Sequence, residues 1–343
     1  MAASLRLLIL LIGLTSMACA SSDLYSSNDE GWRNYVTRFI SAEGRVIDTG
    51  SKNVSHTEGQ GWAMLMAVAH NDRDQFDQLW HWTDQHLRRH NDKLFSWRYD
   101  PSAKVAVADT NNASDGDLMI AWALSLAGQR WGNHEYRYQA SVLRREIRKH
   151  LIRGVAGYTV LLPAKDGFVH DGYTVINLSY FVIPAIQHFA RIEPDGPWSA
   201  LLQDSKRLLE VARFGPRKLP ADWVQLSNMG ELAPAQGWPV RFGFEAVRIP
   251  LYFFWGGITQ TPGIRAIRAY WEEQGQPPAW VDLLSGEAAS YSLSDGGMAV
   301  RQLLVGFGTN IPNTPSYKDD YYSASLLMLA RLATRSTFVP LMY

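Results

Sequence analysis

Two kinds of helical pattern alternate along this chain. Residues 73–90 set Phe76, Leu79, Trp80, Thr83 and Leu87 on one stripe among charged positions, and residues 135–152 do likewise with Tyr138, Val142, Leu143 and Ile147. Apolar positions three and four apart predict helices with one face on a core and the other in water. Residues 61–69, 118–127, 177–186 and 247–255 are instead apolar almost all round. A helix without a polar face has to be buried on every side. Buried segments alternating with half-exposed ones predict helical hairpins in two concentric rings, an all-α barrel of inner and outer helices. An irregular all-α bundle is the competing arrangement. Strand signals are few and short, as at residues 158–162, and belong to the loops. No Gly/Ser- or Pro-rich linker divides the chain, so residues 21–343 read as one domain.

The polar edges of the buried segments carry the candidate chemistry. The stretch DTNNASDGDLMIAWALSLAG, residues 109–128, opens with Asp109, Asp115 and Asp117 and has no charge from Leu118 onward. Ser114 followed by Asp117 has the spacing of a capping box, which predicts Ser114 as N-cap and a helix beginning at Asp115. In TEGQGWAM, residues 57–64, Thr57 and Gln60 have the same spacing and put Glu58 in the first turn of another inner helix. Inner helices running in parallel collect their N-termini on one face. Two carboxylates across such a cleft are equipment for glycoside hydrolysis, one protonating the leaving oxygen and the other activating water or attacking carbon. Either carboxylate alone would equally serve a helix dipole.

Composition sharpens this picture in two ways. Lys plus Arg and Asp plus Glu both number 33 in the 343 residues, without a basic run, which argues against nucleic acid or an anionic membrane surface as partner. The 13 Trp, 15 Tyr and 13 Phe exceed what the buried segments hold, and Trp97, Tyr99, Tyr173, Trp238, Tyr317, Tyr321 and Tyr322 fall in Gly- and Asp-rich connections. Sugar rings pack flat C–H faces on aromatic surfaces, so loop aromatics in this number favour an extended polysaccharide.

With these features in hand, the chain resembles glycoside hydrolase family 8. The resemblance is carried by GRVID at 44–48, TEGQGWAM, NNASDGDLMIAWALSLAG, LSYF at 178–181, FEAVRIPLY at 244–252 and YYSASLLMLA at 321–330, in order over nearly the whole chain. It implies an (α/α)6 barrel, an open cleft, no metal or other cofactor, and endo-β-1,4-glucanase activity with inversion at the anomeric carbon. It matches Glu58 to the general acid and Asp115 to the residue that holds the central sugar. Tyr180 and Arg248 fall on positions lining the same subsite, with Trp97 and Tyr321 as further substrate contacts. At the usual base, an Asp, this chain has Glu245, and Ser323 stands where many relatives have Asp. Glu245 is the expected base, with Asp115, another loop carboxylate or no base as alternatives. The implied partner is a β-1,4-linked polysaccharide acted on by a monomer without stable membrane insertion. Chitosan, xylan or mixed-linkage glucan as substrate, or glucan binding without hydrolysis, are the other readings.

The first twenty residues read as an export signal. Arg6 precedes an apolar run over 7–14, and Ala18 and Ala20 form an A-x-A site, which predicts cleavage after Ala20 and a secreted or periplasmic product. A lipoprotein acylated at Cys19 is the second reading, weakened by the absence of Leu three residues upstream. Mass spectrometry of the exported protein is expected to find Ser21 at the N-terminus; an acylated Cys19 would overturn the soluble product.

Overall fold

The apolar runs do become helices enclosed by other helices. The computed structural model describes residues 26–335, so the export-signal expectation for residues 1–20, Cys19 included, lies outside the described residues. Among the described residues are eleven α-helices: α1 Glu30–Phe39, α2 Thr57–Ala69, α3 Arg73–Leu87, α4 Ser114–Arg130, α5 His134–His150, α6 Ile183–Ile192, α7 Trp198–Val211, α8 Arg248–Trp255, α9 Pro262–Glu272, α10 Asp295–Val305 and α11 Tyr321–Thr334. In α2 every residue except Glu58 is buried, and α11 is buried over nearly its whole length. These helices adjoin in turn: α2 lies beside α4, α4 beside α6, α6 beside α8, α8 beside α10 and α11, and α11 returns to α2. The amphipathic α3, α5 and α7 pack outside α2, α4 and α6 respectively. Apolar side chains from all eleven helices join one contiguous core.

Strands are short. β1 Ser55–His56 pairs with β2 Arg98–Tyr99, β3 Ile152–Val155 forms a hairpin with β4 Tyr158–Leu161, and β9 Arg241–Phe242 pairs with β10 Val281–Asp282, all antiparallel. A four-stranded sheet has the order β5 Val169–His170, β6 Tyr173–Ile176, β7 Val224–Ser227 and β8 Leu232–Pro234. Register between β6 and β7 sets Ile176 opposite Val224, which brings the segments holding Asn177 and Asp222 to the same end of the sheet.

Four expectations need correction. Residues 177–186 are not one helix. Asn177 caps a 3-10 turn at Leu178–Tyr180, and α6 begins only at Ile183, with Pro184 in the first turn where its missing N–H costs nothing. Tyr138 is 61% exposed, because the buried stripe of α5 runs through Tyr136, Ala140, Leu143 and Ile147 instead. Neither capping box forms: the N-caps are Ala113 and His56, with no side-chain cap bond. The third-position side chains are engaged elsewhere. Asp117 accepts from the Phe95 amide at 3.0 Å and Asn112 Nδ2 at 2.8 Å, and the Gln60 carbonyl accepts from the Val46 amide at 2.6 Å. Tyr99 and Tyr173 lie in strands, and Tyr321 and Tyr322 open α11, so these four are not loop residues.

Close approach of the first turns of α2 and α4 depends on glycine. A Cβ built on Gly116 would stand 2.3 Å from Thr57 Oγ1 and 2.8 Å from the Thr57 carbonyl carbon, and one on Gly61 would stand 2.6 Å from Met119 Cβ. The neighbour at Gly116 includes backbone, which cannot rotate away. Gly116→Ala is therefore expected to lower the unfolding free energy by about 1–3 kcal/mol in urea denaturation; parental stability would show that the two mouths can move apart freely.

Candidate active site

The close packing of α2 and α4 brings Glu58 and Asp115 to one cleft of about 610 Å³, whose wall also contains Trp97, Tyr180, Glu245 and Arg248. Six of the seven expected site residues thus come together. Tyr321 does not line the cleft. One residue turns a helix by about 100°, so Tyr322 faces the cleft while Tyr321 is 2% exposed beneath α2. There its hydroxyl fills the space a Cβ on Gly59 would occupy, at 2.1 Å, and so supports the turn carrying Glu58. A larger hollow of about 840 Å³ beside the outer helix α3 contains none of the seven.

Arg248, the first residue of α8, is the centre of the cleft. Its side chain is 4% exposed, and the guanidinium contacts Glu58 through Nη1 and Glu245 through Nη2. Asp115 Oδ2 lies 3.5 Å from Nη1, and Nη2 donates to Ser179 Oγ at 3.1 Å. The group lies between aromatic faces, 6.0 Å from the Trp62 ring and 5.6 Å from that of Tyr180, close enough for cation–π attraction. Trp62 is fixed in turn by donating its indole N–H to Tyr252 at 3.0 Å.

Three carboxylates meet one guanidinium here, which leaves excess negative charge in a place where ionisation is costly. Burial pushes Asp115 up to about 7. Burial also pushes Glu245 up, to about 8, with the charges of Asp222 and Asp115 adding to it. Asn177 Nδ2, 3.0 Å from the Glu245 carboxylate, and Ser179 oppose the rise, as does contact with Arg248. The Glu245 side chain is 29% exposed toward the cleft, so water there holds the shift below what full enclosure would produce.

The three aspartates of residues 109–117 have separate tasks. Asp109 accepts from Trp97 Nε1 at 2.8 Å and orients that ring, which stacks on His56 at 5.7 Å. Asp115 enters the cleft. Asp117 is buried beneath it and ties α4 to residues 95 and 112. Sequence reasoning missed Asn177, Ser179 and Asp222, which surround Glu245, and Trp223, a half-buried ring in edge contact with Tyr180 at 5.9 Å and stacked on Trp238 at 5.1 Å. Asn177, directly before LSYF, carried a positional signal; Asp222 carried none. Ser323, at the departure from the usual Asp, donates to Asp319 Oδ1 at 2.6 Å and accepts from the Gly296 amide at 2.9 Å. It therefore secures the start of α10.

A cleft at the mouths of buried helices, with three carboxylates and aromatic rings on its wall, has the equipment for carbohydrate chemistry. The family model for glycosyl hydrolases family 8 matches residues 8–336, and the chain belongs to that family of glycoside hydrolases. It is 41% identical over 278 residues to an endoglucanase of Cellulomonas uda, covering 80% of this chain and 77% of the relative. The endoglucanase Cel10 of Klebsiella pneumoniae superposes with a TM-score of 0.87 at 42% identity, covering 90% of this chain and all of that one. A family 8 endo-β-1,4-glucanase from an Achatina fulica gut metagenomic library gives 0.86 at 43% identity, covering 89% and 97%.

The raised affinity of Glu245 for its proton has a thermodynamic consequence. Between the ordinary value of 4.5 and about 8, the folded chain holds a proton that the unfolded chain has released. Its contribution to stability is full below pH 4.5 and is lost as pH rises toward 8. Glu245→Gln removes this loss, so urea unfolding from pH 5 to pH 8 is expected to show the variant gaining on the parent as pH rises; a constant difference would mean that Arg248 cancels the burial effect.

Proposed function

We propose that the chain is an endoglucanase, an exported enzyme that cleaves β-1,4-glucan of the cellulose type with inversion at the anomeric carbon. In this reading the helices form an (α/α)6 barrel, with α2, α4, α6, α8, α10 and α11 inside. The observation that carries the proposal is the meeting of Glu58, Asp115 and Glu245, from three separate segments, on the single guanidinium of Arg248.

Glu58 is the general acid, Glu245 the general base and Asp115 the holder of the central sugar. An inverting glycosidase requires one carboxyl that keeps its proton and another that has lost it, on opposite sides of the scissile bond and about 6.5–9.5 Å apart. The α2 N-terminus favours an ionised Glu58, and the crowding of its carboxylate with those of Asp115 and Glu245 around one guanidinium opposes that preference. Glu58 and Glu245 contact different nitrogens of Arg248. A sugar entering between them takes over contacts now made by Arg248 and opens the space for water beside Glu245. Protonation of the glycosidic oxygen by Glu58 then accompanies attack by that water, and the base receives its proton. No covalent intermediate is needed, so Asp115 acts by positioning and charge.

Endo action follows from rings beyond the central sugar. Trp97 lies on the cleft wall, while Tyr180 leads to Trp223, Trp238 and Phe168, the last stacked 5.8 Å from Trp223. Such a row offers flat surfaces to several successive glucosyl units. The endoglucanase names of the relatives support the same substrate.

The test combines two variants with product stereochemistry. Glu58→Gln is expected to lower reducing-end release from soluble cellulose derivatives by roughly 10²-fold or more with glucan binding retained. Glu245→Asp, which restores the usual residue, is expected to keep measurable turnover, and NMR of the first product is expected to show the α-anomer. Parental turnover in Glu58→Gln would remove the acid from this residue, and a β-anomeric first product would remove inversion.

A further inference from the structure

Asp222 lies outside the cleft wall, 3% exposed, two residues before β7. One of its carboxylate oxygens accepts from the backbone amides of both Gly243 and Ala246, each at 2.9 Å, and so straddles residues 244 and 245. Its other oxygen accepts from Arg241 Nε at 3.0 Å, and its own amide donates to the Arg241 carbonyl at 2.7 Å. A Cβ on Gly243 would stand 3.1 Å from the Asp222 carboxylate and 3.0 Å from Trp280 Cβ, so glycine permits this close approach. The same end of the sheet supplies Asn177, which reaches the Glu245 carboxylate directly.

A neutral side chain could satisfy two backbone amides. A carboxylate, almost completely buried, adds negative charge behind Glu245; burial raises its own affinity for a proton, and the Ala246 amide, Arg241 and the Gly243 amide oppose that rise. We infer that Asp222 is a positioning residue for Glu245: it fixes through the backbone the turn that aims this carboxylate into the cleft, and it faces it with a buried charge. The inference rests on Glu245 being the base.

The other charged and titratable groups around Glu245 are Arg248 and Tyr252 of α8, Asp115 of α4, Tyr180 of the 3-10 turn and Tyr322 of α11, and Asp48, His56 and Asp320 line the same cleft. Glu58 of α2 acts across Arg248, and Arg241 lies beside Asp222. The three tyrosines have proton affinities raised by burial and stay neutral through the working range. Burial is the largest cause of the raised proton affinity of Glu245, and repulsion from Asp222, and after it Asp115, adds to the rise.

Asp222→Asn retains an amide oxygen for the two backbone donors and loses the charge. The acid limb of its kcat/KM profile is expected to move to lower pH, by on the order of one unit, with KM little changed. Asp222→Ala loses the backbone staple as well, and kcat is expected to fall about 10²-fold with KM changed far less. An acid limb in Asp222→Asn that coincides with the parent's overturns the inference, and that profile decides alone if the Ala variant does not fold. Near-parental turnover in Glu245→Ala would instead remove the base reading itself, whereas an inactive Glu245→Ala with an unmoved limb in Asp222→Asn would remove only the role given to Asp222.

Discussion

Carboxylates converging on a cleft repel one another, and without a cation between them those at the mouths of α2 and α4 and in the turn before α8 would have to hold protons or move apart. Arg248 supplies that cation. Its position is forced from two directions: it is the first residue of α8, and its guanidinium is held between Trp62 and Tyr180. Burying a guanidinium costs several kcal/mol unless charges and hydrogen bonds replace its water. Glu58, Asp115, Glu245 and Ser179 provide that replacement at its two Nη nitrogens. Arg248 and the carboxylates therefore stabilise one another's burial, and loss of either side leaves the other uncompensated.

The core is arranged to serve this meeting. Gly61 and Gly116 let the first turns of α2 and α4 approach until Glu58 and Asp115 share a cleft. Gly59 admits the Tyr321 hydroxyl beneath the same turn. Beyond the cleft, Arg331 of α11 pairs with Asp29, the N-cap of α1, at 3.1 Å, and the Tyr35 hydroxyl meets Ser325 at 2.8 Å. These bonds tie α1 to α11, whose neighbour α2 carries Glu58. The glycines in the first turns of α2 and α4 thus lie where the chemistry is, while the polar groups Ser325 and Arg331, buried in α11, tie helices together beyond it.

Much of this was legible before any coordinates. The uncharged runs at 61–69 and 118–127 could be stable only as enclosed helices, and α2 and α4 are enclosed. Glu58 and Asp115 stood at the ends of those runs, so their meeting was readable from periodicity. The caps were misread because spacing shows which side chains can loop back and says nothing of competing partners: Asp117 finds Phe95 and Asn112, and Gln60 finds Val46. Tyr321 and Tyr322 were not separable by composition, since only the rotation of α11 sends one inward and the other to the cleft. Asn177 and Asp222 lie 68 and 23 residues from Glu245 in the chain, and only the β6–β7 register brings their segments together.

That register also explains how Glu can stand where the resemblance leads one to expect Asp. A longer side chain on an unrestrained turn would sample many positions, and its carboxylate would not stay beside a water. Here the turn is restrained by Asp222 through the amides of Gly243 and Ala246, and the Arg248 amide donates to the Glu245 carbonyl at 3.1 Å. The side chain is restrained by Asn177, Ser179 and Arg248. Each restraint comes from a different part of the chain, so the extra methylene adds reach without adding freedom. The burial that makes this order possible also raises the proton affinity of the carboxylate, and Arg248 is the opposing charge that keeps the ionised form accessible. Placement and ionisation of the proposed base are therefore set by the same groups, and neither can be altered without the other.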